Sequence, residues 1–524
     1  MKVDFDYVIV GSGFGGSISA YNLSRAGYGV CVIERGGEWP RGSFPRGGRR
    51  LPHLFWEPGR GNVGPIDYRS YDGLDVLVSS GVGGGSLLYS GFLIEAPDRT
   101  FERWPFGITH ATLAPYYARV KDFLDVKRYP FAERLPYSDT NRIRVLQKGV
   151  DLTGRGKLGV TDLGIQFMNS PSEWGTSFVN KHGAVQTGCV MCAECNVGCQ
   201  YHAKSSMDVN YLFRARAQGA VVRARHQVDR IEPSDGGYRV ACTDTSDGEP
   251  REVTITARRV ILSAGCLGST ELLLRNRDLH GTLPNVSERL GHGFSGNGNS
   301  IALLTGLSDD PVPLEPYRGP TLVVGIKYDD FFIEDTGIAD FVTWLLDGII
   351  PGSFATKARV AAELGLDALA NFTGIRPAFG IIKELADLVK SQRFVSRSTY
   401  VISIGHDRSN GVVSLDDEGK LAIDWSEDKE YFKRVRKEVH GLASALDGSV
   451  LYGKSFSFHL LGGCGLGERP EEGVVDGNGE VWGHPGLYVI DGAVMPTGIG
   501  VNPALTISAM SEMLSERLAK GGFE

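Results

Sequence analysis

Several features that would assign a chain to a simple class are missing from these 524 residues. No apolar run is long enough to cross a bilayer, since the longest candidate, residues 341–350, is interrupted by Asp347 and Gly348. No secretion signal is recognisable, because Met1–Asp4 lead directly into an apolar strand. No basic block stands out and the net charge is −7, which argues against a nucleic-acid partner. We therefore expect a cytoplasmic protein without a transmembrane segment, and a peripheral membrane contact remains open.

A disulfide framework is also absent. Four of the eight cysteines lie within residues 189–199, and the other four are isolated in the sequence. In a large chain without a secretion signal, this distribution indicates reduced thiols or a metal site instead of structural cross-links.

Glycine is abundant, with 70 residues, and much of it is clustered at 11–16, 81–85, 291–298 and 462–467. Clustered glycine indicates backbone that turns sharply or approaches a ligand closely. The length is more than one simple core accommodates, so we expect two closely joined domains.

The N-terminal region reads as a β-α-β unit. Residues 7–10 and 30–33 are typical of buried strands, and residues 17–26 have helical spacing. The loop between them has the sequence GSGFGG at residues 11–16, and Glu34 ends the second strand. This combination predicts a dinucleotide site, with the pyrophosphate at the helix N-terminus and the acid on a ribose hydroxyl. The motif alone leaves NAD and FAD open.

Further segments carry a resemblance to a family. They are the glycine loop at 81–87, the strand and turn at 260–265, HLLGGC at 459–464, YVIDG at 488–492 and GVNP at 500–503. Together they resemble the glucose–methanol–choline (GMC) oxidoreductases, and within them the cholesterol oxidase branch, over nearly the whole chain. Two positions depart from that pattern: Tyr89 stands where the family usually has asparagine, and Leu460 replaces a proline.

The resemblance implies an α/β fold in which a Rossmann-like FAD-binding domain is interleaved with an α+β substrate domain built on an antiparallel sheet. The expected FAD-binding domain comprises residues 1–100, 200–300 and 450–524. The expected substrate domain comprises residues 101–199 and 301–449, with a cysteine cluster at 189–199.

The resemblance also implies the site. His459 and Asn502 take the family's catalytic positions, where an alcohol gives up its hydroxyl proton and a hydride goes to flavin N5. We expect non-covalent FAD, since the loop at 81–87 contains no histidine. The expected cofactor-binding residues are Gly11, Gly13, Phe14, Gly15, Gly16, Glu34, Arg35, Gly81, Gly84, Gly85, Ser86, Val228, Ala264, Gly265, Asp491, Gly492, Asn502 and Pro503. For Val228, packing in the core is an equally good interpretation.

The cysteine run is the unusual feature. Cys189, Cys192, Cys195 and Cys199 have the C-x2-C-x2-C-x3-C spacing of bacterial ferredoxins. Gln200 replaces the proline of that motif, and no second run exists. Three interpretations remain open: an iron–sulfur cluster, a structural zinc and no metal. A cluster would give electrons a route to a redox partner protein in place of oxygen.

The leading hypothesis is oxidation of an alcohol on an apolar, sterol- or terpenoid-like substrate. The alternatives are a flavin dehydrogenase acting on a C–C or C–N bond of a biosynthetic intermediate, and a flavin/iron–sulfur electron-transfer subunit. Residues 355–391 could form a lid, touch a membrane or, as we prefer, form two surface helices. Aromatic residues for an apolar pocket, each better explained singly as core, are Trp104, Phe331, Phe332, Phe341, Trp344, Phe372 and Phe379. Carboxylates that could shift a double bond are Asp329, Asp330, Glu334 and Asp335.

Overall fold

The computed structural model describes residues 3–46, 48–133, 135–339 and 397–521. The amphipathic region at 355–391 and the aromatic residues Phe341, Trp344, Phe372 and Phe379 lie outside the described residues.

A seven-stranded sheet forms the centre of the molecule, and its strands run in the order β12-β2-β1-β15-β14-β13, with β25 also paired to β15. Its strands are β1 (Phe5–Val10), β2 (Val30–Ile33), β12 (Val221–Arg223), β13 (His226–Ser234), β14 (Gly237–Asp244), β15 (Arg251–Leu262) and β25 (Leu487–Val489). The strands β1, β2 and β25 are buried along most of their length, as expected for parallel strands covered on both faces.

Strand β15 joins two kinds of pairing. Its first half is antiparallel to β14, from Arg251 opposite Asp244 to Ala257 opposite Tyr238. Its second half is parallel to β1, and residues 260–262 are also parallel to β25. The carboxyl ends of β1, β2 and β15 therefore meet at one edge of the sheet, where Rossmann-like folds bind their ligands.

Seven α-helices accompany the sheets within the described residues. They are α1 (Phe14–Arg25), α2 (His110–Phe123), α3 (Asn141–Thr153), α4 (Tyr211–Ala217), α5 (Gly265–Leu274), α6 (Lys429–Ala445) and α7 (Ala504–Gly521). Helix α1 begins three residues before the predicted start, inside the glycine loop. It packs on α7, where Asn22 donates to Glu512 at 3.0 Å and to Ser515 at 2.9 Å.

A second, six-stranded sheet has the order β23-β17-β20-β19-β18-β8 and is antiparallel throughout. Its strands are β8 (Lys157–Val160), β17 (Ser300–Thr305), β18 (Val324–Lys327), β19 (Phe331–Thr336), β20 (Thr399–Gly405) and β23 (Ser449–Tyr452). Strand β8 comes from the 101–199 segment and pairs with β18 from the 301–449 segment. The predicted fold class, with two interleaved units, is confirmed, whereas the domain boundaries remain predictions.

The other strands form small sheets. They are β3 (Trp56–Glu57) with β4 (Asn62–Val63), β5 (Ile66–Tyr71) with β6 (Leu74–Ser79) and β24 (Ser455–Ser457), β7 (Lys127–Arg128) with β9 (Asp162–Leu163), β10 (Ser177–Val179) with β11 (Val185–Thr187), and β16 (His292–Phe294) with β21 (Gly411–Leu415) and β22 (Leu421–Asp424).

Each large sheet has its own buried core, one around β1 and β15 and the other between the second sheet and helices α3 and α6. An ion pair crosses the second core, where Arg142 on α3 lies 2.6 Å from Asp335 on β19 and both side chains are fully buried. Among the described helices, none combines the length and the apolar character needed to span a bilayer.

Candidate functional site

A cavity of about 830 Å³ lies at the carboxyl edge of the first sheet. Val10 at the end of β1 and Ile33 at the end of β2 line one part of it. Ile301 on β17 and Ile402 on β20 line another part. The cavity is therefore enclosed by both large sheets.

Helix α1 starts at the wall of this cavity. Gly13 is its N-cap and supplies no side-chain acceptor, so the first backbone N–H groups of the helix have no capping partner. A Cβ on Gly15 would lie 1.8 Å from the carbonyl oxygen of Ile490, so only glycine lets the helix approach this backbone. The uncapped helix end is suited to an anionic ligand.

Two glycine loops meet beside the helix. A Cβ on Gly84 would lie 2.5 Å from the Cα of Gly13, and Gly84 has a φ of +53°. Ser12 ties the loops together, because its hydroxyl donates to Glu34 at 2.7 Å and accepts from the N–H of Gly83 at 3.0 Å. Glu34 also accepts from the N–H of Gly36 at 2.9 Å and lines the cavity.

Asp491 lines the cavity and holds together the two backbone segments beside it. Its carboxylate accepts from the N–H of Gly265 at 2.9 Å, the hydroxyl of Ser269 at 2.6 Å and the N–H of Ala493 at 2.8 Å. Burial raises the pKa of Asp491 to about 6, although these hydrogen bonds oppose the shift. The carboxylate thus holds the start of α5 beside the loop that follows β25.

His459 and Asn502 line the same cavity. Neither ring nitrogen of His459 is hydrogen bonded to a described residue, and burial lowers the pKa of this histidine to about 3. The amide of Asn502 donates to Glu334 on β19 at 3.2 Å, whereas its oxygen has no partner among the described residues. Burial raises the pKa of Glu334 to about 8, so its carboxyl is protonated at neutral pH.

Comparisons with known proteins bear directly on this arrangement. Two halves of the GMC oxidoreductase family pattern match residues 5–277 and 407–511. A cholesterol oxidase from Mycobacterium tuberculosis is 30% identical, with 98% of this chain and 90% of that protein covered. This chain belongs to the GMC oxidoreductase family. The expectation of an FAD-dependent alcohol oxidoreductase is thereby confirmed.

Other relatives of this GMC oxidoreductase agree. A cholesterol oxidase from Acinetobacter baumannii is 28% identical over 97% of this chain and 93% of that protein. A long-chain-alcohol oxidase from Arabidopsis thaliana is 25% identical over 99% of this chain and 67% of that protein. Two solved structures share the fold at 16% identity, each covering 99% of this chain and 100% of the other: pyridoxine 4-oxidase from Mesorbium loti (TM-score 0.60) and a fungal aryl-alcohol oxidase (TM-score 0.61).

The residues of the cavity fit the FAD that the family implies, because an uncapped helix end and two closely packed glycine loops form its wall. The expected cofactor residues that line the cavity are Gly11, Gly13, Phe14, Gly15, Glu34, Arg35, Gly84, Gly85, Val228, Ala264, Gly265, Asp491, Gly492, Asn502 and Pro503.

Three expected cofactor residues lie behind this wall instead. A Cβ on Gly16 would lie 2.0 Å from the carbonyl oxygen of Gly11, and one on Gly81 would meet Leu87 at 2.7 Å. The hydroxyl of Ser86 donates to the carbonyl of Gly83 at 2.6 Å and accepts from the N–H of Met207 at 2.8 Å. Gly16, Gly81 and Ser86 shape the loops, and any direct contact with the cofactor stays a prediction.

The aromatic wall of the cavity differs from the one considered from sequence. Trp104 and Phe331 are core residues, and Phe332 packs against the core. The described aromatic residues that line the cavity are Phe14, Trp56, Tyr89, Phe92, Tyr400, Phe456 and Phe458. Most of them lie in short strands or irregular segments, where a lone aromatic residue gives no periodic signal.

Tyr89, the departure from the family pattern, is held firmly. Its hydroxyl donates to the carbonyl of Ser205 at 2.7 Å, and its ring lies edge-on to Phe14 with centroids 5.4 Å apart. Burial raises its pKa, so the hydroxyl stays protonated.

The four cysteines of the cysteine loop (residues 189–199) surround a second, small cavity of about 20 Å³. Burial raises the pKa of the Cys189, Cys192 and Cys199 thiols. The buried amine of Lys204 donates to the carbonyls of Leu87, Tyr89 and Cys195 at 2.8, 2.6 and 2.8 Å. Lys204 therefore ties this loop to the second glycine loop.

All eight cysteines are free thiols. Over residues 3–46, 48–133, 135–339 and 397–521, no group of three or more His, Cys, Asp or Glu side chains is placed to hold a metal ion. The arrangement of these side chains therefore does not support the iron–sulfur cluster predicted from the spacing.

Proposed function

We propose that this GMC oxidoreductase oxidises the hydroxyl group of a lipophilic alcohol, such as a sterol, a terpenoid or a long-chain alcohol. One observation carries the proposal. His459 and Asn502 lie at the wall of the cavity that the glycine loops enclose, and both keep polar atoms without a partner among the described residues. Buried polar groups of this kind are normally satisfied, so a ligand hydroxyl is a natural partner. Cholesterol and long-chain-alcohol oxidases among the relatives support the substrate class.

His459 is the group proposed to take the hydroxyl proton. Burial lowers the pKa of His459 to about 3, so the imidazole is neutral at physiological pH and has a free acceptor nitrogen. This low pKa makes it a weak base until a bound ligand brings negative charge beside it. A neutral imidazole can accept a proton from the alcohol as its C–H bond is broken. FAD bound between the glycine loops would supply the two-electron acceptor for the hydride.

Asn502 is proposed to orient the hydroxyl. It carries no titrating group of its own, so it keeps both a donor and an acceptor at every pH. Its contact with Glu334 fixes the plane of the amide. The orientation of the alcohol would then follow from β19, a rigid strand of the second sheet.

The body of the substrate is proposed to lie against the second sheet. Ile301, Leu322, Tyr400 and Ile402 line this part of the cavity. Such an apolar wall favours a hydrocarbon body and offers few groups to a polar one. The apolar wall therefore disfavours the alternative function, dehydrogenation of a C–C or C–N bond in a polar biosynthetic intermediate. Substrate profiling would distinguish the two functions.

The test is anaerobic reduction of bound flavin by cholesterol and by a long-chain primary alcohol. His459→Ala is expected to retain FAD and to slow flavin reduction by about 10²–10⁴-fold, the usual contribution of a general base. His459→Gln, which keeps hydrogen bonding without a basic nitrogen, should be similarly slow. Wild-type flavin reduction in His459→Ala would contradict the assignment.

The cysteine loop suggests a second candidate: an electron-transfer role, for which an iron–sulfur cluster held by the four cysteines would supply a route to a redox partner protein. The ferredoxin-like spacing and the link through Lys204 favour it, whereas the thiol arrangement does not. The test is to measure iron and acid-labile sulfide in anaerobically purified protein, with a Cys192→Ser variant as control. The result decides whether the cysteine loop binds a cluster. Stoichiometric iron that the variant loses would establish the cluster, and iron-free yellow protein would rule it out.

A further inference from the structure

Asn502 belongs to a short loop, residues 498–502, whose conformation is not fixed by any regular element. It lies just before α7, and Gly500 within it has a φ of +78°. Such a loop needs outside partners for its backbone polar groups if it is to hold one conformation.

Asn297 supplies most of those partners. Its side-chain oxygen accepts from the N–H of Ile499 at 2.8 Å and from the N–H of Gly500 at 2.9 Å. Its amide donates to the carbonyl of Val501 at 2.8 Å. One fully buried side chain thus binds three consecutive residues immediately before Asn502.

Asn297 is itself held by the second sheet. It lies just before β17, its N–H donates to Ser295 at 2.9 Å, and its carbonyl accepts from the N–H of Gly405 at the end of β20. Its φ of +55° lies in the left-handed region, which asparagine tolerates better than most residues. The positive φ and the need for both a side-chain donor and a side-chain acceptor therefore favour asparagine at position 297.

Two other groups complete the grip on the loop. The hydroxyl of Thr100 donates to the carbonyl of Ile499 at 2.8 Å. A Cβ on Gly500 would lie 2.1 Å from Cε1 of His406, so the histidine ring leaves room only for glycine. The loop is therefore packed against the His406 ring and hydrogen bonded by Asn297 and Thr100.

We infer that Asn297 is a positioning residue that sets the amide of Asn502 against the substrate hydroxyl by clamping residues 499–501. The inference rests on the proposed function of Asn502 and extends it to a residue that lines no part of the large cavity. A shift of the loop would leave the apolar wall on the second sheet intact and misplace the polar contact of Asn502. The expected effect is therefore on the rate of oxidation and not on substrate affinity.

The test uses Asn297→Gly, which removes the side chain without strain at positive φ. In the holoenzyme, kcat and the anaerobic rate of flavin reduction should fall at least tenfold while KM changes less than threefold. In the same holoenzyme, deuterium exchange in residues 498–502 should rise. Asn297→Asp keeps the acceptor and loses the donor, so it should fall between wild type and Asn297→Gly, and it serves if Asn297→Gly does not fold.

A double-mutant cycle separates positioning from general destabilisation. If Asn297 acts through Asn502, adding Asn297→Gly to Asn502→Ala should slow flavin reduction less than twofold further. A full, multiplicative loss in the double variant would overturn the inference, as would unchanged exchange in residues 498–502.

The matched control is Asn276→Ala. Asn276 is also fully buried, accepts from the N–H of Ile231 at 2.8 Å and donates to the carbonyl of Leu272 at 2.8 Å. It should lower stability without lowering kcat, and a loss of kcat equal to that of Asn297→Gly would contradict the specific role. If no alcohol reduces the wild-type flavin, the proposed function fails, and the exchange measurement alone then decides whether the clamp exists.

Discussion

Glu334 is a buried acid whose pKa is shifted by its surroundings in β19. The strand β19 is buried along most of its length, and two acids, Glu334 and Asp335, lie within it. Asp335 has Arg142 as an ionic partner, whereas among the described side chains Glu334 has only the amide of Asn502. A buried carboxyl without a cation is stable only when protonated, which is why its pKa rises to about 8.

This shift predicts a pH-dependent stability. An unfolded glutamate titrates near pH 4.3. Between that value and about 8 the folded protein retains a proton that the unfolded chain has released, so Glu334 lowers stability as pH rises, by at most about 1.4 kcal/mol per pH unit. Glu334→Gln should remove this dependence. Its advantage over wild type should widen from pH 5 to pH 8 and then level off.

Urea unfolding midpoints of both proteins across pH 5–9 provide the measurement. The other buried acids are common to both proteins, so the difference isolates Glu334. Parallel curves for the two proteins would show that Glu334 does not titrate in this range.

At the scale of elements, two helical glycines have opposite roles. Gly15 lies in α1, where a Cβ would overlap the carbonyl oxygen of Ile490. Gly441 lies in α6, is exposed, and would meet nothing within 4 Å if it carried a Cβ. The same residue type is therefore a requirement of packing in one helix and a weak point in the other.

Alanine substitutions should separate these roles. Gly441→Ala should raise the free energy of unfolding by about 0.8–1 kcal/mol, the difference in helix propensity, and leave FAD binding unchanged. Gly15→Ala should displace α1 from the sheet and lose FAD, because its Cβ would lie 1.8 Å from a carbonyl oxygen. Flavin absorbance after gel filtration and thermal unfolding measure both effects. Full FAD retention by Gly15→Ala would mean that the helix shifts without cost.

The elements around the glycine loops were predictable because their signals are local. A strand, six residues at 11–16 and Glu34 lie within one stretch of sequence, and the helix that follows needed only a three-residue correction. The pair of Glu334 and Asn502 could not be found in the same way, since 168 residues separate its members. Two acids in an apolar strand were the available signal, but nothing in the sequence said which one reaches Asn502.

The cysteine loop illustrates the opposite limit. Its spacing left three interpretations open: an iron–sulfur cluster, a structural zinc and no metal. Spacing in the sequence does not determine how the folded backbone orients the side chains. In the described structure the four thiols surround one cavity but do not form a metal-binding group. The spacing records nearness in sequence, whereas coordination depends on the directions of the side chains.

At the scale of the whole molecule, the large cavity makes both sheets depend on its occupant. Its lining combines ends of β1 and β2 with residues of β17 and β20. A ligand that contacts both sheets stabilises their association as well as each sheet. The cytoplasmic location expected from sequence stays a prediction.

Removal of FAD should therefore lower stability by mass action. Free FAD at 100 times its dissociation constant should stabilise the folded protein by about 2.7 kcal/mol. Calorimetry of holoprotein and FAD-free protein over a range of FAD concentrations measures this, with the midpoint rising steadily with FAD. A midpoint independent of FAD would mean that the folded and unfolded chains bind it equally.

The double pairing of β15 also bears on how the chain is made. Residues 251–262 pair with residues 5–10, but they also pair with residues 487–489. On the ribosome, β1 is released long before β25 exists, and the partner helix of α1, α7, follows later still. The glycine loops lie beside an open sheet edge until residues 487–489 have been synthesised. Folding of the nucleotide half is therefore expected to finish only after those residues are available to pair with β15.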